Sequence, residues 1–183
     1  MKIGWHLIPN VLTFLRILLI IPFALALLHG HDVIALILFF IAGLSDGVDG
    51  FLARRFNWRS RFGAIADPLA DKALLVTTYL VLTIIGQFPW WLFAVVVGRD
   101  IVIVSGATAY HFMLGRYEMQ PSLLGKLNTL VQIVVALAVV ISLAQWPMPD
   151  AVHRVGIWLV AAMAVFSGLH YVLLWGLRAW RAK

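Results

Sequence analysis

Apolar residues run along this chain in long blocks, cut by short polar breaks, and neither the period of two of a strand nor a one-sided helical stripe organises them. At roughly 20 residues per membrane crossing, six blocks are long enough: 9–29, 33–56, 66–87, 90–115, 122–146 and 151–177. The breaks carry turn and helix-start chemistry. His29-Gly30-His31-Asp32 follows the first block, Gly86-Gln87-Phe88-Pro89 the third, Met119-Gln120-Pro121-Ser122 the fourth and Pro147-Met148-Pro149-Asp150 the fifth. The pattern predicts an all-α, polytopic integral membrane protein of six transmembrane helices, forming one domain over residues 1–183.

Composition agrees and removes several classes. The chain is 63% hydrophobic and only 12% charged, with a mean hydropathy of +0.97; soluble domains are nearer a quarter charged. With no cysteine, disulfide frameworks and thiolate metal sites are excluded. A net charge of +6 suits anionic headgroups or phosphorylated substrates. Nucleic acid is not an expected partner, because no soluble basic domain exists to hold it. The first block has a lone Lys2 ahead of it, Arg16 within it and no small-residue cleavage pattern, so it reads as a retained span.

Six spans would place Lys2, Arg54, Arg55, Arg59, Arg61, Arg116, Arg178, Arg181 and Lys183 on one side and Arg154 on the other. The positive-inside rule then makes both termini and the second loop cytoplasmic, as in a bacterial inner membrane.

Against this background the stretch DGVDGFLARRFNWRSRFGAIADPLAD, Asp46 to Asp71, is out of place: it holds four of the chain's eight acidic residues. Asp46 and Asp49 are three apart and share a helix face; Asp67 and Asp71 are four apart and share another. A short loop would bring the two pairs together. Carboxylates clustered in a low-dielectric setting either neutralise or gather cations. Hard divalent ions suit such oxygen clusters and match a phosphoryl substrate. Gly47 and Gly50 leave the helix bare for a bulky ligand, and Arg54 offers a planar fork to phosphate. A buried ion pair tying two helices is the plainer alternative, with Arg54, Arg55 or Lys72 as the partner.

The register Asp46, Asp49-Gly50, Ala53-Arg54, Gly63, Asp67, Asp71 resembles, at all eight positions, the signature of the CDP-alcohol phosphotransferase family. The opening IPNVLTFLRI resembles the entry segment of its phosphatidylglycerophosphate synthases and eukaryotic-type cardiolipin synthases. The resemblance implies two divalent ions, Mg or Mn, on Asp46, Asp49, Asp67 and Asp71, with Asp71 also the general base. It implies CDP-diacylglycerol bound by Gly50, Ala53, Arg54 and Gly63, with Asn10, Thr13, Arg16 and Ser60 as further contacts, and a homodimer as the working form. The reaction would pass the phosphatidyl group to a glycerol-type hydroxyl and release CMP.

Arg99, Asp100, Lys126 and Asn128 are the expected acceptor residues. Phosphatidylglycerophosphate synthases resemble this layout but tend to carry Ala-Arg-Glu in the first stretch and a second lysine where Asn128 stands. Cardiolipin synthases carry Arg-Asp and Lys-x-Asn-Thr, as here. One cation fewer suits phosphatidylglycerol better than glycerol 3-phosphate, so cardiolipin synthesis is the favoured reading and phosphatidylglycerophosphate synthesis its alternative. A small cation transporter or channel is the alternative of another class. It fits less well, because polar residues do not continue through the outer halves of the spans.

Overall fold

The computed structural model describes residues 8–56, 63–114 and 122–181; the side chains of 8–12, 46–54, 63–65, 107, 109–114 and 175–181 lie outside that description. Among the described residues there are six helices and no strand: α1 (Ile8–Leu28), α2 (Asp32–Arg55), α3 (Gly63–Ile84), α4 (Trp90–Leu114), α5 (Leu123–Leu143) and α6 (Asp150–Arg181). Each corresponds to one predicted block. The larger differences are at both ends of α3, the end of α5 and the end of α6: α3 and α5 stop three residues before the apolar block does, while α6 runs on through Arg178 and Arg181.

The breaks work as local chemistry requires. After α1 the His31 N–H reaches the Ala26 carbonyl at 2.8 Å and the Gly30 N–H reaches Leu27 at 3.4 Å. This is the paired bonding of a Schellman stop, and Gly30 takes the left-handed position at φ 73°. The same six-to-one bond closes α5, from the Trp146 N–H to the Ile141 carbonyl, but there Gln145 holds the position at φ 103°. A side chain at positive φ is penalised by about 1–2 kcal/mol. Gln145→Gly is therefore expected to stabilise the protein by about 0.5–1 kcal/mol after the extra freedom of the unfolded glycine is deducted. A rise in the thermal unfolding midpoint in detergent checks this.

The surface is inverted relative to that of a water-soluble domain. On α1, Thr13 and Arg16 are fully buried while Phe14, Leu15, Ile17, Leu18 and Ile21 are exposed; α6 turns Val155, Trp158, Phe166, Leu169 and Leu173 outward. So large an apolar exterior belongs against lipid. Among the described residues two helical segments, Leu123–Leu143 and Asp150–Leu174, are long and apolar enough to cross a membrane by themselves; Thr13–Leu28 and Asp32–Ser45 are apolar but shorter. The protein is thus of membrane type.

The chain forms two compact units, residues 1–85 with 140–147, and 86–139 with 148–183. In the first, α1 packs on both α2 and α3. Ala35, Ala42, Ala66 and Ala70 are buried, small residues that let backbones approach where lipid gives no hydrophobic drive to associate. Phe23 and Phe39 meet at 5.7 Å between ring centroids. In the second unit α4 packs on α6. Leu92 and Val96 on α4, and Val160, Ala164 and Ser167 on α6, are buried at helical spacing, and Trp91 lies 5.2 Å from Trp158.

Candidate active site

The first unit carries the acidic motif. Asp46, Asp49, Gly50, Ala53 and Arg54 lie in the last turns of α2, and Gly63, Asp67 and Asp71 in the first turns of α3. Of the four aspartates, the side chains of Asp67 and Asp71 are described. Those of Asp46, Asp49, Arg54 and Asn10, and Ser60 altogether, lie outside the described residues.

Asp67 and Asp71 face α1. The Thr13 hydroxyl donates to Asp67 Oδ1, and Arg16 Nη1 donates to Asp71 Oδ1 at 2.5 Å. Thr13 and Arg16 are three residues apart, Asp67 and Asp71 four, so both pairs fall on single helix faces. The lower number on α1 meets the lower number on α3, so the two helices run in the same direction here. That is the arrangement of two helices separated by one return helix.

Burial divides the ion pair unevenly. The Arg16 side chain is 0% exposed and that of Asp71 is 48% exposed. The long arginine approaches from inside the helix pair and leaves the carboxylate facing outward. An arginine on an apolar span can reach out to the membrane interface; Arg16 is instead wholly enclosed. Arg16 of α1 is thus one ion-pair partner of Asp71, brought there by the packing of α1 on α3; the pairing weighed from the sequence with Arg54 lies outside the described side chains.

The donor set suits hard cations. Asp67 and Asp71 are held with their oxygens on one face, and Asp46 and Asp49 follow the spacing of a second face on α2. Among the described residues no three histidine or acidic side chains converge.

The expected acceptor residues lie in the second unit, where the structure separates them. Arg99 and Lys126 line a cavity of about 460 Å³ together with Ile103, Leu130, Ile133 and Tyr171. Asp100 and Asn128 do not line it. Asp100 accepts from Arg99 Nη1 at 2.8 Å. Adjacent helical residues point about 100° apart, so pairing between them was not required; the arginine stem is long enough to turn back. Asn128 is fully buried, and neither its amide nitrogen nor its oxygen has a hydrogen-bond partner. Two histidines of the second unit are enclosed in part. His153 Nε2 and His170 Nδ1 are buried, and His153 packs edge-on to Phe88.

The sequence reading missed Tyr171, Ser167 and Gly125. Arg99 Nη2 donates to Ser167 Oγ at 2.7 Å, and the Arg99 guanidinium carbon lies 5.9 Å from the centre of the Tyr171 ring. A usable signal was present: Ser167 and Tyr171, four apart, place two polar groups on one face within the mainly apolar run of α6.

The chain thus carries its acidic register across the adjoining ends of α2 and α3 in a six-helix fold with an apolar exterior. The CDP-alcohol phosphatidyltransferase family model matches residues 6–173, and the chain belongs to that family. It is 34% identical over 175 residues to a probable phosphatidylglycerophosphate synthase of Mycobacterium tuberculosis, covering 90% of this chain and 79% of that one. It is 35% identical over 183 residues to a CDP-diacylglycerol–glycerol-3-phosphate 3-phosphatidyltransferase of Salmonella typhimurium, covering 93% and 90%. A probable cardiolipin synthase (CMP-forming) of Drosophila melanogaster is 28% identical over 183 residues, covering 91% and 56%. The protein is thus an enzyme of phospholipid synthesis, with a CDP-alcohol donor and an alcohol acceptor. Family membership sets aside the transporter reading.

Proposed function

We propose that the chain transfers the phosphatidyl group of CDP-diacylglycerol to a hydroxyl of phosphatidylglycerol, forming cardiolipin and CMP. The observation that carries the acceptor choice is the character of the cavity in the second unit. Arg99 and Lys126 offer positive charge to a phosphate, and Ile103, Leu130 and Ile133 line the same space. Cation and apolar wall together suit an acceptor with both a phosphodiester and acyl chains. Glycerol 3-phosphate needs only the cations.

In the proposed reaction Asp71 takes the proton of the acceptor hydroxyl while that oxygen forms a bond to the lipid-side phosphorus. The bond from that phosphorus to the bridging oxygen breaks, and CMP departs with the electron pair. Thr13 and Arg16 hold Asp67 and Asp71 in place for this; further contacts of both with the CDP moiety belong to the same proposal. Arg54 would grip the diphosphate, with Gly50, Ala53 and Gly63 leaving it room and Asn10 and Ser60 adding contacts. Two divalent ions, Mg or Mn, held by Asp46, Asp49, Asp67 and Asp71, would offset charge on the diphosphate. Six spans with cytoplasmic termini and active site complete the proposal, supported by the six helices and the one-sided arginines; a homodimer joins it on the family resemblance alone.

Phosphatidylglycerophosphate synthesis is the second reading, favoured by the near full-length match to the Salmonella enzyme. Purified protein given CDP-diacylglycerol and Mg is expected to convert phosphatidylglycerol to cardiolipin, read by mass spectrometry. Consumption of glycerol 3-phosphate alone would reverse the choice of acceptor.

A further inference from the structure

Arg99 is held from several sides by α4 and α6. Besides Asp100 and Ser167, which take Nη1 and Nη2, the Tyr171 ring lies under the guanidinium. Gly168 lies against the arginine stem, where an added Cβ would make an ordinary contact 3.5 Å from Arg99 Cγ. Donor capacity remains: Arg99 Nε is buried with no hydrogen-bond partner. In a residue that lines the cavity, that donor is available to an anionic headgroup.

The hydroxyl of the same tyrosine completes the start of α5. Ser122 is the cap of this helix: its Oγ accepts from the Gly125 N–H at 3.0 Å, and its carbonyl accepts from the Lys126 N–H at 3.1 Å. In a capping box the third helical residue is Glu or Gln, whose side chain returns to the N–H of the cap. Here that residue is Gly125, and the Ser122 N–H donates to Tyr171 Oη at 3.0 Å. A Cβ on Gly125 would lie 3.0 Å from that oxygen. The glycine makes room for a phenol from α6 to do what a glutamate on α5 otherwise does.

We propose that Tyr171 is a positioning residue for the acceptor: its ring fixes Arg99 and its hydroxyl fixes the first turn of α5, which carries Lys126. One side chain thereby sets the spacing of the two cations that receive the acceptor phosphate. Free arginine and lysine side chains lose considerable rotamer freedom on binding an anion, and a site that holds them beforehand avoids part of that loss. The inference rests on the reading of this cavity as the acceptor site.

Tyr171→Phe keeps the ring and loses the hydroxyl; Tyr171→Leu loses both. The acceptor KM is expected to rise about threefold in the first and about tenfold or more in the second, with kcat and the KM for CDP-diacylglycerol within about twofold of wild type. Gly125→Ala, whose Cβ would stand 3.0 Å from Tyr171 Oη and 3.2 Å from Ser122 Oγ and so press the hydroxyl away from the cap, should raise the acceptor KM in the same direction as Tyr171→Phe. Kinetics are measured with whichever of phosphatidylglycerol and glycerol 3-phosphate the wild type turns over, so a wrong acceptor identity leaves the KM split readable. An unmoved acceptor KM overturns the inference. So does a fall in kcat with a rise in donor KM as large as the acceptor effect, the mark of a merely structural role. A wild type that consumes neither acceptor overturns it together with the reading beneath it.

Discussion

Asp71→Asn is expected to lower turnover by about 10²–10⁴-fold, the range for loss of a positioned general base, while the protein stays folded. The asparagine oxygen still accepts the hydrogen bond that Arg16 donates to Asp71 Oδ1, and the side chain is 48% exposed, so water can attend the altered group. Size and shape are kept, and what is removed is the capacity to take a proton. The check is CMP release from CDP-diacylglycerol, with the unfolding midpoint of the same preparation measured alongside. Loss of activity in step with loss of folded protein would assign Asp71 to structure alone.

The second large effect is an asymmetry across the ion pair. Arg16 is fully enclosed and Asp71 only half so, and the two deletions therefore act on different properties. Asp71→Leu removes the carboxylate that takes Arg16 Nη1, and breaking a buried pair from one side costs about 3–5 kcal/mol in comparable cases. Arg16→Leu leaves a carboxylate that can be hydrated and puts an apolar side chain into an enclosed space, so stability should change by only about 1 kcal/mol. Its effect falls on chemistry instead. A base no longer held in place loses alignment, and a misplacement of about 1 Å lowers rates by about 100-fold. Unfolding midpoints and initial rates for both variants read the two quantities separately. Equal destabilisation by both would contradict the uneven burial.

The helices were legible because long apolar blocks announce themselves by length and hydropathy, and their ends because Gly30, Ser122 and the prolines carry local stop and start chemistry. The spacing of Asp46, Asp49, Asp67 and Asp71 was legible too, since residues three or four apart share a helix face whatever surrounds them. The partner of Asp71 was not. Arg16 lies 55 residues away in sequence, and only the packing of α1 against α3 brings it there. Tyr171 and Gly125 escaped for a related reason. A tyrosine near the end of an apolar helix resembles an interfacial anchor, and a glycine in a first turn resembles a weak helix former, until another helix supplies the contact that joins them.

The most direct measurement of the central claim is CMP formation from CDP-diacylglycerol by wild type, Asp67→Ala and Asp71→Asn, each with and without a chelator. The account predicts acceptor-dependent CMP release by the wild type that stops when divalent ions are withdrawn, and folded variants that release almost none. Release at the wild-type rate by Asp71→Asn, or undiminished release under chelation, would contradict it.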